Sequence, residues 1–323
     1  MRIAVTGGTG YVGAQSTKAL LAAGHSVRLL LNPNPADESA AGHLAQLGKV
    51  ELVRGDIRDR HCVATLLEGC DALLHGAGVV GTDGRREKLM WEINAYATEA
   101  VLQQAVRNGL DPVVSISSYS ALFPAPDGVI GPNTPTAVGR SAYAKTKGYA
   151  DAAARRLQRD GAPVVVTYPS SVVGPAFNTA PGVTERGWAP IARWAVAPRL
   201  SGGMQMIDVR DVAEVHLRAM VPGRGPRRYV CGGVMIPFNE MIDTLERGIG
   251  RRIRRIPLTA NAFLALGRVA DALGGLVPLG DGFSLEAALL LTAATPTDDS
   301  ATLRELEMTW RSPQQAMLAS FQR

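Results

Sequence analysis

The sequence predicts an α/β fold: a doubly wound parallel sheet followed by a smaller, mostly helical C-terminal region. Short apolar runs alternate with helical patterns through the first half of the chain. The first run ends in Thr6-Gly7-Gly8-Thr9-Gly10-Tyr11-Val12-Gly13, and a helical segment opens at once. After about residue 175 the alternation gives way to a stretch rich in Gly, Pro, Ala and Trp, then mainly to helices.

In chain order, strands are expected at 2–5, 26–31, 50–53, 72–75, 112–116 and 163–167. Helices are expected between them, at 11–23, 37–47, 60–68, 86–108 and 141–159. Nearly continuous apolar strands separated by helices form a parallel sheet covered on both faces. Right-handed crossovers make it doubly wound. Further on, a strand is expected at 204–209, a helix at 211–220 and a strand at 228–230. Helices follow at 238–248, 260–273, 283–293 and 312–321. Those at 260–273 and 283–293 are apolar over much of their surface, as suits a cavity wall or a small helical core.

The 323 residues are 46% hydrophobic and 20% charged, an ordinary globular balance. Net charge is +5, almost all of it arginine, scattered apart from Arg251-Arg252-Ile253-Arg254-Arg255. That run reads as a solvated strand edge or loop. A nucleic-acid partner would call for a basic face with aromatics or a reading motif, and the sequence has neither. Cys62, Cys70 and Cys231 lack metal-ligand spacing, and their odd number points to reduced thiols. No two of the five histidines form a metal pair. A strand starting at residue 2 leaves no room for a signal peptide, and no apolar run spans a membrane. The expectation is a cytoplasmic protein without nucleic-acid, membrane or metal partners, acting on a small molecule.

Gly7, Gly10 and Gly13 permit a tight turn and let a pyrophosphate approach the backbone, while the following helix offers free N–H groups. Placed after the first strand, the loop predicts dinucleotide binding and a Rossmann-type sheet. Strand 26–31 ends in Asn32-Pro33-Asn34 with no acid at its tip; Asp37 and Glu38 come later. An acid there would accept the ribose hydroxyl of NAD, so NADP(H) is preferred over NAD(H), with Arg28 and Arg54 as nearby cations.

Tyr143 and Lys147 lie four apart in a helical segment, hence on one face. An ammonium there is expected to lower the tyrosine pKa and suit it to proton exchange with a carbonyl/alcohol couple.

Together these residues resemble the extended short-chain dehydrogenase/reductases. That family includes nucleotide-sugar epimerases, dihydroflavonol and cinnamoyl-CoA reductases and 3β-hydroxysteroid dehydrogenases. The resemblance covers nearly the whole chain. It implies that Gly7, Thr9, Gly10, Tyr11, Val12 and Gly13 bind the cofactor, with Asn32 at the second strand's tip. By the same resemblance, Asp56 and Ile57 contact adenine, and Gly76, Ala77 and Gly78 lie against the cofactor. Pro169, Ser170 and Val172 would pack on the nicotinamide, although Tyr168-Pro169 replaces the usual Arg-Pro. Tyr143 would be the proton donor or acceptor, and Lys147 would also hold the nicotinamide ribose. Ser118, 25 residues before Tyr143, would bond the substrate oxygen; Ser117 and Ser120 are close alternatives. Asn94 would help place the lysine and a water chain.

The resemblance implies a dinucleotide-binding domain of residues 1–175 and 204–236, and a substrate-binding region of 176–203 and 237–323. It also implies a possible homodimer through helices near 86–108 and 141–159. No acidic pair follows Ser118, and Pro169–Val172 lacks the epimerase Tyr-Phe-Asn element. The expected chemistry is therefore reduction of a hydrophobic ketone or aldehyde, or the reverse. Phe123, Phe177, Trp188 and Trp194 are candidate substrate contacts. The alternatives are a nucleotide-sugar epimerase/dehydratase and a catalytically silent NADP(H)-sensing regulator.

Overall fold

The computed structural model describes residues 1–81, 84–273 and 284–322. Its strands are β1 (Arg2–Thr6), β2 (Ser26–Leu31), β3 (Val50–Arg54), β4 (Ala72–His75), β5 (Val113–Ile116), β6 (Val164–Pro169), β7 (Ser171–Val173), β8 (Val196–Arg199), β9 (Gly203–Asp208), β10 (Arg227–Cys231), β11 (Val234–Pro237) and β12 (Arg254–Pro257). Its helices are α1 (Tyr11–Ala22), α2 (Pro35–Ala45), α3 (Arg60–Leu67), α4 (Glu87–Met90), α5 (Thr98–Arg107), α6 (Ala142–Arg159), α7 (Val183–Trp194), α8 (Val209–Ala219), α9 (Phe238–Ile249), α10 (Ala260–Leu273), α11 (Leu285–Ala293), α12 (Ser300–Glu305) and α13 (Pro313–Ala319). The expected helix at 86–108 is broken by a π-helical stretch, Trp91–Ala97. Residue 283, the expected start of helix 283–293, lies outside the described residues.

Seven parallel strands form the main sheet in the order β10-β6-β5-β4-β1-β2-β3. This is the expected doubly wound, Rossmann-type sheet. Strand side chains alternate between its faces. Ala4 and Leu73 point into one core with α3, α5 and α6; Ile3, Val5, Ala72 and Leu74 point into the other with α1 and α8. Two buried histidines tie layers together. His75 bonds Thr6 (2.8 Å) and Thr98 (2.9 Å); His216 bonds Ser16 (2.7 Å) and Thr167 (3.1 Å).

The later part has its own core, in which Trp188, Met206, Phe238, Met241, Phe263 and Met317 meet. Two small sheets frame it: β11-β9-β7 and β12-β8. These short strands, β9 apart, were not legible in the sequence, because they exist only through partners distant in the chain. The Arg251–Arg255 run does lie at a strand edge, with Arg254 and Arg255 opening β12.

Candidate active site

A cavity of about 660 Å³ opens past the C-terminal ends of β1, β4, β5 and β6. In open α/β sheets this is where ligands bind. One end is lined by Gly7, Gly10, Tyr11, Val12, Gly13, Gly76 and Gly78. Gly7 sits at φ +68°, and an added Cβ would lie 2.5 Å from the Gly76 and Ala77 backbone. A Cβ on Gly13 would overlap Gly7 O, so the turn closes only with glycine there. At Gly10 the protein itself leaves more room, the nearest atom being Gly7 O at 3.3 Å. Its bare Cα faces the cavity at the N-terminus of α1, a cradle that a side chain would fill and a pyrophosphate suits.

At the centre stand Ser118, Tyr143 and Lys147, with Pro169, Ser170 and Val172 along the opposite wall. Ser141 caps α6 by accepting from Ala144 N (3.0 Å), which fixes the turn carrying Tyr143. Lys147 Nζ donates to Ile116 O (3.0 Å) and lies 6.0 Å from the Tyr143 ring centre. Ser118 is buried; its Oγ accepts from Ser120 N and donates to Ser120 Oγ, both at 3.2 Å. The neighbouring Ser117 Oγ lines the same cavity and is buried without a hydrogen-bond partner.

The electrostatics reverse one expectation. Burial pushes the Tyr143 phenol up to about 12; the Ser118 hydroxyl acts in the opposite direction, and the Glu286 and Tyr119 charges add to the rise. Burial also lowers Lys147 to about 8. The ammonium is turned to a carbonyl rather than to the phenol, so desolvation outweighs its pull on the tyrosine.

The other expected residues lie outside the cavity lining. Asn94 is buried in the π-helical stretch. It accepts from Val79 N (2.7 Å) and donates to Val79 O (2.9 Å) and Thr146 Oγ1 (3.3 Å). A Cβ on Gly78 would lie 3.3 Å from Asn94 Oδ1 and 3.8 Å from Lys147 Nζ, so both side chains flank that glycine. Ala77 N donates to Thr6 Oγ1 (3.2 Å). Thr9 is half-buried on the loop, and Asn32 is exposed past β2. Asp56 pairs with Arg58 (2.6 Å), which also holds Glu92 (2.5 Å). Ile57 packs into the core that includes Val63 and Leu66. Arg28 is drawn away from the β2 tip: it is buried, pairs with Glu51 (3.0 Å) and donates to Thr65 O (2.9 Å). Arg54, beside Leu31 in register, pairs with Glu38 (2.9 Å).

The far end of the cavity is largely apolar, lined by Val80, Trp188, Ile191, Phe238, Met241, Phe263, Leu290 and Leu291. Of the four expected aromatic contacts only Trp188 lines it. Phe123 packs on the main core, Phe177 lies beneath Lys18 (4.9 Å), and Trp194 is 68% exposed.

Sequence reasoning missed three charged residues here. Arg186 and Glu286 line the cavity, and Glu286 accepts from Ser141 N (3.0 Å), tying α11 to the start of α6. Glu185 joins four segments. Its Oε1 accepts from Tyr11 Oη (2.9 Å), Gly174 N (3.0 Å) and Ser320 Oγ (2.7 Å), and its Oε2 from Gly182 N (2.5 Å). Glu185 occupies the third position of α7 and reaches back to the residue before the helix, half of a capping box. That spacing was readable; the links to Tyr11 and Ser320 were not.

Known proteins agree with this construction. Residues 3–232 match the model of the NAD dependent epimerase/dehydratase family. Sterol demethylase protein B of Methylococcus capsulatus is 29% identical over 312 residues, 95% of this chain and 93% of that protein. The dTDP-glucose 4,6-dehydratase of Streptomyces niveus is 31% identical over 290 residues, 80% of this chain and 81% of that one. A UDP-glucose 4-epimerase from Bifidobacterium longum, solved with NAD+ and UDP, superposes with a TM-score of 0.76 at 19% identity, covering 99% of this chain and 97% of that one. With the glycine turn, the sheet order and the family match in agreement, this chain belongs to the NAD-dependent epimerase/dehydratase family and is an enzyme of the extended short-chain dehydrogenase/reductase type.

Proposed function

We propose that the chain reduces a ketone or aldehyde of a fairly hydrophobic small molecule, or oxidises the corresponding alcohol. The observation that carries this is the set of apolar side chains, Trp188, Ile191, Phe238, Met241 and Phe263, that lines the same cavity as Tyr143 and Ser118. The Methylococcus relative is named for a sterol, a substrate class of that character.

Bound NAD(P)(H), held along Gly7, Gly10 and Gly13, supplies or accepts the hydride. The Tyr143 hydroxyl, protonated at neutral pH as any phenol is and kept so to about 12 by its burial, gives its proton to the oxygen as the carbonyl becomes an alcohol. Ser118 Oγ, by turning its proton from Ser120 Oγ to the same oxygen, would stabilise the charge that develops there. Lys147, anchored on Ile116 O, keeps a cation beside the reacting end and would hold the nicotinamide ribose of a bound cofactor. Asn94 is a positioning residue, bracing the Val79 backbone and Thr146 beside the lysine. Oxidation runs the same steps in reverse.

We read NADP(H) as preferred. Residues 32–34 at the β2 tip include no acid, and Arg54, itself paired with Glu38, is the cation beside it once Arg28 is committed to the core. In this reading residues 1–175 with 204–236 bind the dinucleotide, and 176–203 with 237–323 enclose the substrate. A homodimer through the helical segments 86–108 and 141–159 is part of it, supported by Tyr96, 55% exposed beside Trp91 and Tyr149.

A second reading, nucleotide-sugar epimerase or dehydratase, is favoured by the dehydratase relative. The experiment is NADPH and NADH oxidation against a panel of polycyclic and aryl ketones, with UDP- and dTDP-sugars assayed in parallel. Turnover of the ketones supports the proposal. Turnover confined to nucleotide sugars overturns it.

A further inference from the structure

We propose that the β8–β12 ribbon, together with the end of α7, forms a docking face for an anionic lipid bilayer. The two strands pair in parallel, with Val196 opposite Arg254 and Pro198 opposite Ile256. Paired residues project from the same face of a sheet, so these four side chains share one side. The other side is occupied: Ala197 is in the C-terminal core, and Arg255 is held by Asp243 (2.5 Å) and Glu246 (3.0 Å) of α9.

On the outer side Val196, Arg254 and Ile256 are left to solvent, while Pro198 is half-buried. Val196 is 39% exposed and Ile256 48%, and Trp194, just before β8, is 68% exposed. Arg193, Arg251, Arg252 and Arg254 are exposed around them. None of these four pairs with a carboxylate among the described residues. Neither 193–200 nor 251–257 contains an Asp or Glu. Arg193 instead lies over the Trp194 ring at 5.2 Å.

Charge complementarity selects the occupant. Unpaired guanidinium groups call for an anionic surface, and Trp, Val and Ile among them call for one with an apolar layer beneath. A bilayer rich in anionic headgroups offers both, with phosphates for the arginines and the acyl boundary for the apolar side chains. A nucleic acid would satisfy the arginines but leave the aliphatic side chains in water. No described helix is long and apolar enough to cross a membrane, so the contact is with the surface.

The face adjoins the substrate end of the cavity. Pro198, on the outer side of β8, also lines the cavity, as does Ile191, three residues before Trp194. A bilayer seated here would lie beside the apolar wall. This surface goes beyond the oxidoreductase reading and is independent of it.

The test is flotation of the full chain with vesicles of phosphatidylcholine alone and of phosphatidylcholine with a third phosphatidylglycerol. The wild type should float with the anionic vesicles only and be released by high salt. Arg251→Glu/Arg252→Glu should weaken that binding by at least about tenfold. Trp194→Ala should weaken it by a smaller factor. Unchanged melting temperature and cofactor affinity in the double variant identify the loss as one of binding, not folding. The proposal is overturned if the wild type ignores anionic vesicles or if the folded double variant floats equally well. It is also overturned if these substitutions abolish duplex DNA binding or self-association while vesicle binding is absent.

Discussion

The two ends of the cavity are held by different means. At the glycine-lined end the geometry belongs to the backbone: seven strands in fixed register, and glycines at which a Cβ would strike neighbouring backbone. At the apolar end, the proposed substrate site, it belongs to side chains, with Glu185 and Glu286 linking segments that share no sheet with one another. A backbone-built site tolerates almost no change at a few positions. A side-chain-built site can alter its selectivity while the fold survives.

Substitutions can break that comparison. Gly13→Ala should have the largest effect, because its Cβ overlaps Gly7 O. Cofactor affinity by calorimetry should fall by roughly a hundredfold or more, since the loop must open to relieve the clash. Glu185→Ala should act on the other end. It strips the acceptor from four donors, each costing about 1–3 kcal/mol where water cannot replace it. Substrate KM should rise by about tenfold with a smaller change in kcat, and Glu185→Gln should recover part of the loss. An equal loss of cofactor affinity would mean that Tyr11 transmits the damage and that the two ends are not separable.

Two pH profiles sharpen the contrast. Lys147 is cationic below about 8 and neutral above it, whereas Tyr143 keeps its proton to about 12. For carbonyl reduction, kcat/KM reports the free enzyme and should fall as pH rises through about 8. Lys147→Met should remove that limb and lower the rate throughout. The smallest effect concerns stability. Burial lowers His75 and His216 from 6.5 to about 3, with the Lys147 charge adding to the shift at His75. Between those values the unfolded chain binds more protons than the native one, so stability rises with pH. It is fully present above about 6.5 and is lost as pH falls toward 3. Thermal melts across that window should show the slope, and His216→Gln should make it shallower.

What the sequence disclosed follows the same division. The glycine turn, the parallel strands and the Tyr143/Lys147 spacing are local patterns, and the structure places all three at one cavity. The fold of residues 171–257 was only partly legible, since β7, β8, β11 and β12 are stabilised by distant partners. Burial was also invisible. It turned the expected fall in the Tyr143 pKa into a rise and took Arg28 into the core. Glu286 could not be anticipated, because its partner Ser141 lies far away in the chain.

The central claim is hydride transfer to an apolar carbonyl with Tyr143 as proton donor. Its most direct test is a single turnover with NADPH carrying deuterium at both C4 positions of the nicotinamide and a polycyclic ketone, read by mass spectrometry. The account predicts one deuterium on the carbinol carbon of the product, and a rate reduced by about 10²–10⁴ in Tyr143→Phe with cofactor affinity nearly unchanged. A product without deuterium, or Tyr143→Phe turning over at full rate, would contradict it.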